Sequence, residues 1–234
     1  MKIAIMQPYF FPYIGYFQLI NAVDEFVIYD NIEYTKKGWI NRNRILTNGK
    51  ASYISLPLKK DSDHLDVKDR YLASSWSFEK DKILNRILES YRKPPHFDSV
   101  YPVIEKGILF KEHNLFGFIL NSLNLVREYL EIQTPLLVSS KIPVDHGLKA
   151  EKKVMAICKA RKADKYLNPI GGTHLYSKAD FKTEGIDLCF LKTADFIYKQ
   201  SGNEFVPFLS IIDVMMFSSK EEIMGYLTSF YTIV

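Results

Sequence analysis

Short apolar runs alternate with amphipathic stretches through most of this chain, and that alternation constrains the fold more than any single motif. Lys2–Met6 (KIAIM) and residues 25–29 (EFVIY) are apolar runs of strand length. Between them Ile14, Phe17, Leu19 and Ile20 lie on one side of a helix that Pro12 is placed to open. Strand, helix and strand at this spacing predict a parallel crossover, since parallel neighbours need a long connection. The second half repeats the pattern. Strands are expected at 135–139, 165–167 and 186–191, and a helix at 147–162 capped by Asp145 or His146. A helical turn is expected at 177–184, and helices at 205–216 and 220–230. Residues 44–47 and 51–56 flank Asn48-Gly49, a two-residue hairpin signal. Three helices follow at 77–92, 97–110 and 115–131, with Ser77 as a cap of the first and Pro94-Pro95 ending it.

The expected fold class is therefore α/β, a Rossmann-like, mostly parallel sheet with a β-hairpin and an inserted helical section at about 77–131. The 234 residues suit a single domain, 1–234, and no linker interrupts them. A composition 47% hydrophobic and 25% charged excludes disorder. No apolar run approaches the ~18 residues a membrane span needs. Gln7 and Pro8 break the first apolar run, so a secretory signal is not expected. Two cysteines, Cys158 and Cys189, are too few for a disulfide framework, and both are expected in the core of a cytoplasmic protein. The five histidines have no metal spacing, so no metal site is expected. The common phosphate-loop, dinucleotide and nucleophile-elbow signatures are absent, and the sequence names no cofactor.

Charge is unevenly spread. Residues 31–60 hold seven cations against Glu33 alone, an excess of six in a chain whose total is +4. The centre of this stretch interleaves Tyr34, Lys36, Trp39, Asn41, Arg42, Asn43 and Arg44. Arginine binds phosphate bidentately, lysine adds charge, amides hydrogen-bond and aromatic rings stack. A solvated hairpin with routine surface lysines would give the same run. The modest total charge does not point to nucleic acid.

Ligands of open α/β sheets collect outside the carboxyl ends of the strands. There the sequence places Gln7 and Tyr9 after the first strand, Asp30 after the second, and Asn168 with Gly171-Gly172 after a later one. Paired glycines let backbone N–H groups approach an anion, although a plain turn needs them equally. Asp213 interrupts the apolar helix expected at 205–216 and needs a partner there. Asp30 and Asp213 are thus the candidate acids: Asp30 for substrate binding or base chemistry with a cation partner near Lys36, Asp213 for support. His146 beside Asp145 is either a base or a helix-start residue.

Residues 7–17 (QPYFFPYIGYF), 26–30 (FVIYD) and Tyr34 through Asn43 resemble the WbqC-like protein family. So do Gly171-Gly172 with Tyr176, Tyr198 with Gln200, and residues 209–213 (LSIID). The resemblance runs nearly end to end. It implies a role among bacterial surface-polysaccharide (O-antigen) proteins that make or modify activated sugars, with acyl or aminoacyl transfer to an amino sugar as the reaction. The expected partner is an anionic small molecule, a nucleotide-linked sugar, held by Gln7, Tyr9, the 34–44 residues, Asn168, Gly171, Gly172, Tyr176 and Gln200. A non-catalytic scaffold of the same machinery is the competing reading. A nucleotidyltransferase or ligase is a third, but residues 13–16 (YIGY) lack the two histidines of the HxGH motif.

Overall fold

The structure is a computed structural model that describes residues 1–202 and 204–234. Its elements run β1 (Lys2–Met6), α1 (Ile14–Asn21), β2 (Glu25–Ile28), β3 (Arg42–Thr47), β4 (Lys50–Ser55), α2 (Trp76–Tyr91), α3 (Phe97–Ile108) and α4 (Leu115–Tyr129). They continue β5 (Leu136–Val138), α5 (Ala150–Ala160), β6 (Lys165–Pro169), α6 (Lys178–Thr183), β7 (Asp187–Thr193), α7 (Ile211–Phe217), α8 (Lys220–Ser229) and β8 (Tyr231–Ile233). Six strands form one sheet in the order β5-β2-β1-β6-β7-β8, parallel except for β8. β3 and β4 form a separate antiparallel hairpin in which Thr47 pairs with Lys50. Asn48 (φ 52°) and Gly49 (φ 73°) close it, since a two-residue turn of matching twist needs positive φ at both positions.

The sheet is buried on both faces, and its apolar runs follow from that. Ala4, Phe26 and Ile28 face a core shared with α1, the three helices α2–α4 and α7. Ile3, Ile5 and Val27, one residue out of step, face a second core with Ile157 and Cys158 of α5 and Phe181 of α6. The chain runs outward from β1 through β2 to β5, then returns to β6 on the other side of β1. The order therefore reverses between β1 and β6, the place where open sheets hold ligands.

Several local expectations give way to tertiary bonds. The helix expected at 205–216 starts only at Ile211. Pro207 lacks an N–H, Phe208 has φ 56°, and the Ser210 and Ile211 amides donate to the Arg44 and Pro12 carbonyls. Ser210 caps α7 instead, its Oγ accepting from the Ile212 amide. α5 starts at Ala150 because residues 145–148 form their own turn, with Asp145 accepting from the Gly147 amide. Ser77 lies inside α2 and donates to the Ser74 carbonyl. Cys158 is buried, whereas Cys189 is half-buried and donates to Asp187. β8 is an addition: residues 231–233 leave α8 and pair with the end of β7. Among the described residues, no helix is long and apolar enough to cross a membrane.

Candidate functional site

A cleft of about 660 Å³ opens at the switch point, within the ~300–1,000 Å³ of small-molecule sites. Met6 and Gln7 leave β1 into it, Asn168 and Pro169 end β6 at it, and Thr193 ends β7. Tyr9 and Tyr13 come from the loop before α1, Tyr29 from the end of β2, and Trp39, Asn43 and Arg44 from the approach to the hairpin and its first strand. Two glycines make the close packing possible. A Cβ on Gly15 would sit 2.3 Å from the Tyr13 ring and 2.6 Å from the Thr193 hydroxyl. A Cβ on Gly172 would sit 2.1 Å from Asn168 Nδ2.

Of the residues proposed from the sequence, nine meet in this cleft: Gln7, Tyr9, Trp39, Asn43, Arg44, Asn168, Gly171, Gly172 and Tyr176. Asn43 is 4% exposed and ties the hairpin to the first loop, donating to the Phe10 and Phe11 carbonyls at 3.2 and 2.9 Å. Asn168 accepts from the Tyr166 hydroxyl at 3.1 Å. Among the described residues, no hydrogen bond engages the Gln7 side chain, whose backbone carbonyl accepts from Tyr16. Arg44 is the one charged side chain among the described lining residues. Its guanidinium lies over the Trp39 ring at 5.4 Å, Nη2 donates to the Phe208 carbonyl at 3.1 Å, and Nε is buried without a partner. Burial, then Tyr13, pushes Tyr9 up to about 12, and burial, then Tyr176 and Asp66, does the same to Tyr29. Tyr13 and Tyr176 are raised by burial too. The cleft's phenols therefore stay protonated at neutral pH and serve as donors.

The remaining candidates lie elsewhere. Lys36 pairs with Asp63 on the surface. Arg42 donates to the Gly38 and Lys37 carbonyls and stacks over Tyr53 at 4.8 Å, so it closes its own turn. Asn41 accepts from Tyr34 at 2.8 Å and donates to the Leu56 carbonyl, while Arg70 covers the Tyr34 ring at 4.4 Å. Only Arg44 of the basic run reaches the cleft.

The two acids do not share the cleft. Asp30 is 2% exposed and accepts from the Ser139 hydroxyl, the Ser140 amide and the Ser140 hydroxyl at 2.8, 2.9 and 2.6 Å. Those serine donors, not a cation near Lys36, hold it, and they tie the end of β2 to the turn after β5. Asp213 is fully buried and accepts from Tyr91, Tyr198 and Gln200 at 2.8, 2.7 and 2.8 Å. Burial pushes its carboxyl up, against the pull of those three bonds. Gln200 also donates to Tyr198 and the Val206 carbonyl and accepts from the Val206 amide, so its amide is fully used. Among the described residues, no cluster of three His, Cys, Asp or Glu could hold a metal.

Tyr13, Tyr29, Thr193 and Phe208 are cleft residues not singled out from sequence. Thr193 was within reach of the carboxyl-end argument, because β7 runs two residues past the apolar stretch that marked it.

Comparison with known proteins matches the chain over nearly its whole length. The chain is 31% identical over 231 residues to the uncharacterized protein Rv1507c of Mycobacterium tuberculosis (strain ATCC 25618 / H37Rv), covering 97% of each chain. No solved structure matches it. The model of the WbqC-like protein family matches residues 7–224, a span that holds every cleft residue named above except Met6, and on that match the chain belongs to the WbqC-like protein family.

Proposed function

We propose that the switch-point cleft binds a nucleotide-linked sugar and that the protein acts in bacterial surface-polysaccharide (O-antigen) biosynthesis, as a transferase moving an acyl or aminoacyl group to an amino sugar. The observation that carries this reading is Arg44. A single guanidinium with an unpartnered buried Nε stands in a cleft otherwise lined by amides, phenols and apolar side chains. A guanidinium is suited to a pyrophosphate. Gln7, Asn168 and the tyrosines offer donors and acceptors to sugar hydroxyls, and Trp39, 37% exposed and flanked by Arg44 and Tyr53, adds apolar surface. The scaffold reading draws on a free basic surface, but Lys36 and Arg42 are engaged within the chain.

Isothermal titration with UDP-N-acetylglucosamine and related nucleotide-sugars tests the reading. Saturable binding to one site supports it. Absence of heat and of thermal stabilisation across the series refutes it and leaves the scaffold role, since a ligand at ~100 Kd adds about 2.7 kcal/mol to stability.

A further inference from the structure

The described lining of the cleft contains no carboxylate, imidazole, thiol or amine, and burial keeps its tyrosines protonated. A transfer to a hydroxyl or amine needs somewhere for a proton to go. The chain leaves the cleft and returns to it over four residues: Tyr29 and Ile32 line it, while Asp30 and Asn31 between them enter a buried polar chain. Asp30 is 2% exposed, Asn31 9% and Ser139 0%. Beyond Asn31 stands His146, which is exposed.

Proton counting fixes the direction of this chain. Ser139 Oγ lies 2.8 Å from Asp30 Oδ1 and 2.5 Å from the Asn31 amide atom placed as Oδ1. The other amide atom, placed as Nδ2, lies 2.9 Å from His146 Nδ1. A serine hydroxyl has one proton and cannot donate to both a carboxylate and an amide oxygen. The carboxylate is the stronger acceptor. Ser139 therefore donates to Asp30 and accepts from Asn31, so the amide nitrogen faces Ser139 and the amide oxygen faces His146. An amide oxygen only accepts, so His146 Nδ1 carries the proton and Nε2 carries the lone pair. Lys153 holds the backbone below, donating to the Asn31 carbonyl at 3.1 Å beside the Tyr29 ring.

We propose that Asn31, Ser139 and Asp30 are positioning residues that hold the His146 imidazole in its Nδ1–H form, leaving its exposed Nε2 as the proton acceptor for a ligand that extends from the cleft past Ile32 and Asn31. The assignment of a reaction to it rests on the transferase reading above. An acceptor hydroxyl or amine gives its proton to Nε2, and the electron pair of the broken bond stays on the acceptor oxygen or nitrogen, which becomes the nucleophile. The imidazolium keeps its Nδ1–H on Asn31, and Asp30 answers its charge through Ser139. The charged groups around the cluster are Lys153 on α5, Lys68 and Asp66 in the 66–69 turn, and Asp145, whose carboxylate is turned onto the Gly147 amide.

The test is a long-range proton–nitrogen NMR spectrum of the full chain labelled at histidine, at about pH 8, above the ordinary histidine range. His146→Gln identifies the His146 signals. The expected result is a protonated Nδ1 and an unprotonated Nε2, reverting toward Nε2–H in Ser139→Ala. A wild-type His146 with its proton on Nε2 overturns the proposal whether or not any variant folds. UDP-N-acetylglucosamine is then added. Shifted His146 signals and loss of diethyl pyrocarbonate modification at Nε2 place the imidazole at the ligand. Binding that leaves both unchanged puts His146 out of the ligand's reach and also overturns the proposal. If Nδ1–H is found but the nucleotide-sugar does not bind, the positioned imidazole stands and the nucleotide-sugar reading falls.

Discussion

Replacing Asp213 by Asn tests whether that acid holds the fold. Its carboxylate joins three parts of the chain: α7, Tyr91 at the end of α2, and the segment that carries Tyr198 and Gln200. Tyr91 in turn accepts from the Leu46 amide of β3. Asn keeps one oxygen for Tyr91 but presents an amide nitrogen to Tyr198 and Gln200. Tyr198 can turn to accept, while Gln200 retains the Val206 carbonyl. One buried donor without its acceptor costs about 1–3 kcal/mol. At about 2–4 °C per kcal/mol for a chain of this size, Tm falls by roughly 2–12 °C. The pH dependence is the sharper reading. Burial raises the folded carboxyl above its ordinary value of 3.8. As pH climbs past that value the unfolded chain loses the proton first, so over this window it binds fewer protons and the group's contribution to stability falls. Asn does not titrate. Urea unfolding should therefore show the gap between wild type and Asp213→Asn widest near about pH 4 and narrower toward about pH 7. A gap that widens with pH would mean that the three hydrogen bonds outweigh burial, and the reasoning fails.

Gly172→Ala drives a Cβ into Asn168 Nδ2 and should displace that amide, breaking the bond it accepts from the buried Tyr166 hydroxyl; equilibrium unfolding should register about 0.5–1.5 kcal/mol, and an unchanged midpoint would contradict the clash. Arg44→Ala should weaken nucleotide-sugar binding by about 1.5–3 kcal/mol in calorimetry, whereas Arg42→Ala should leave it nearly unchanged because that guanidinium serves its own turn. Equal losses would restore a diffuse basic patch. Gln7→Ala should reduce binding by about 0.5–1.5 kcal/mol with little change in Tm, and a parallel fall in both would make Gln7 structural.

The sheet was legible because strands buried on both faces must be apolar through their buried middles, as residues 3–5 and 26–28 are. Long-range bonds were not legible. Nothing near Phe205 in the sequence says that the Ser210 and Ile211 amides are taken by Arg44 and Pro12, which delays α7 to Ile211. The short β8 follows a helix directly, and residues 231–234 (YTIV) carried only their β-branched character as a signal. For the site, the carboxyl-end rule located Gln7, Asn168, Gly171 and Gly172, since it depends on topology alone. The basic run over-predicted. Local composition shows cations but not their partners, and Asp63 and the carbonyls of Lys37 and Gly38 absorb Lys36 and Arg42. Asp213 drew notice as an acid inside an apolar helix and Gln200 only through the family resemblance, and the two prove to be hydrogen-bonded to one another.

A crystal soaked with UDP-N-acetylglucosamine tests the central claim most directly. The account predicts the pyrophosphate within hydrogen-bond distance of Arg44 and the sugar among Gln7, Tyr9 and Asn168, with Trp39 at the edge. A ligand seated instead on the exposed lysines 50, 59 and 60, in and after the hairpin, with the cleft between β1 and β6 empty, would contradict it.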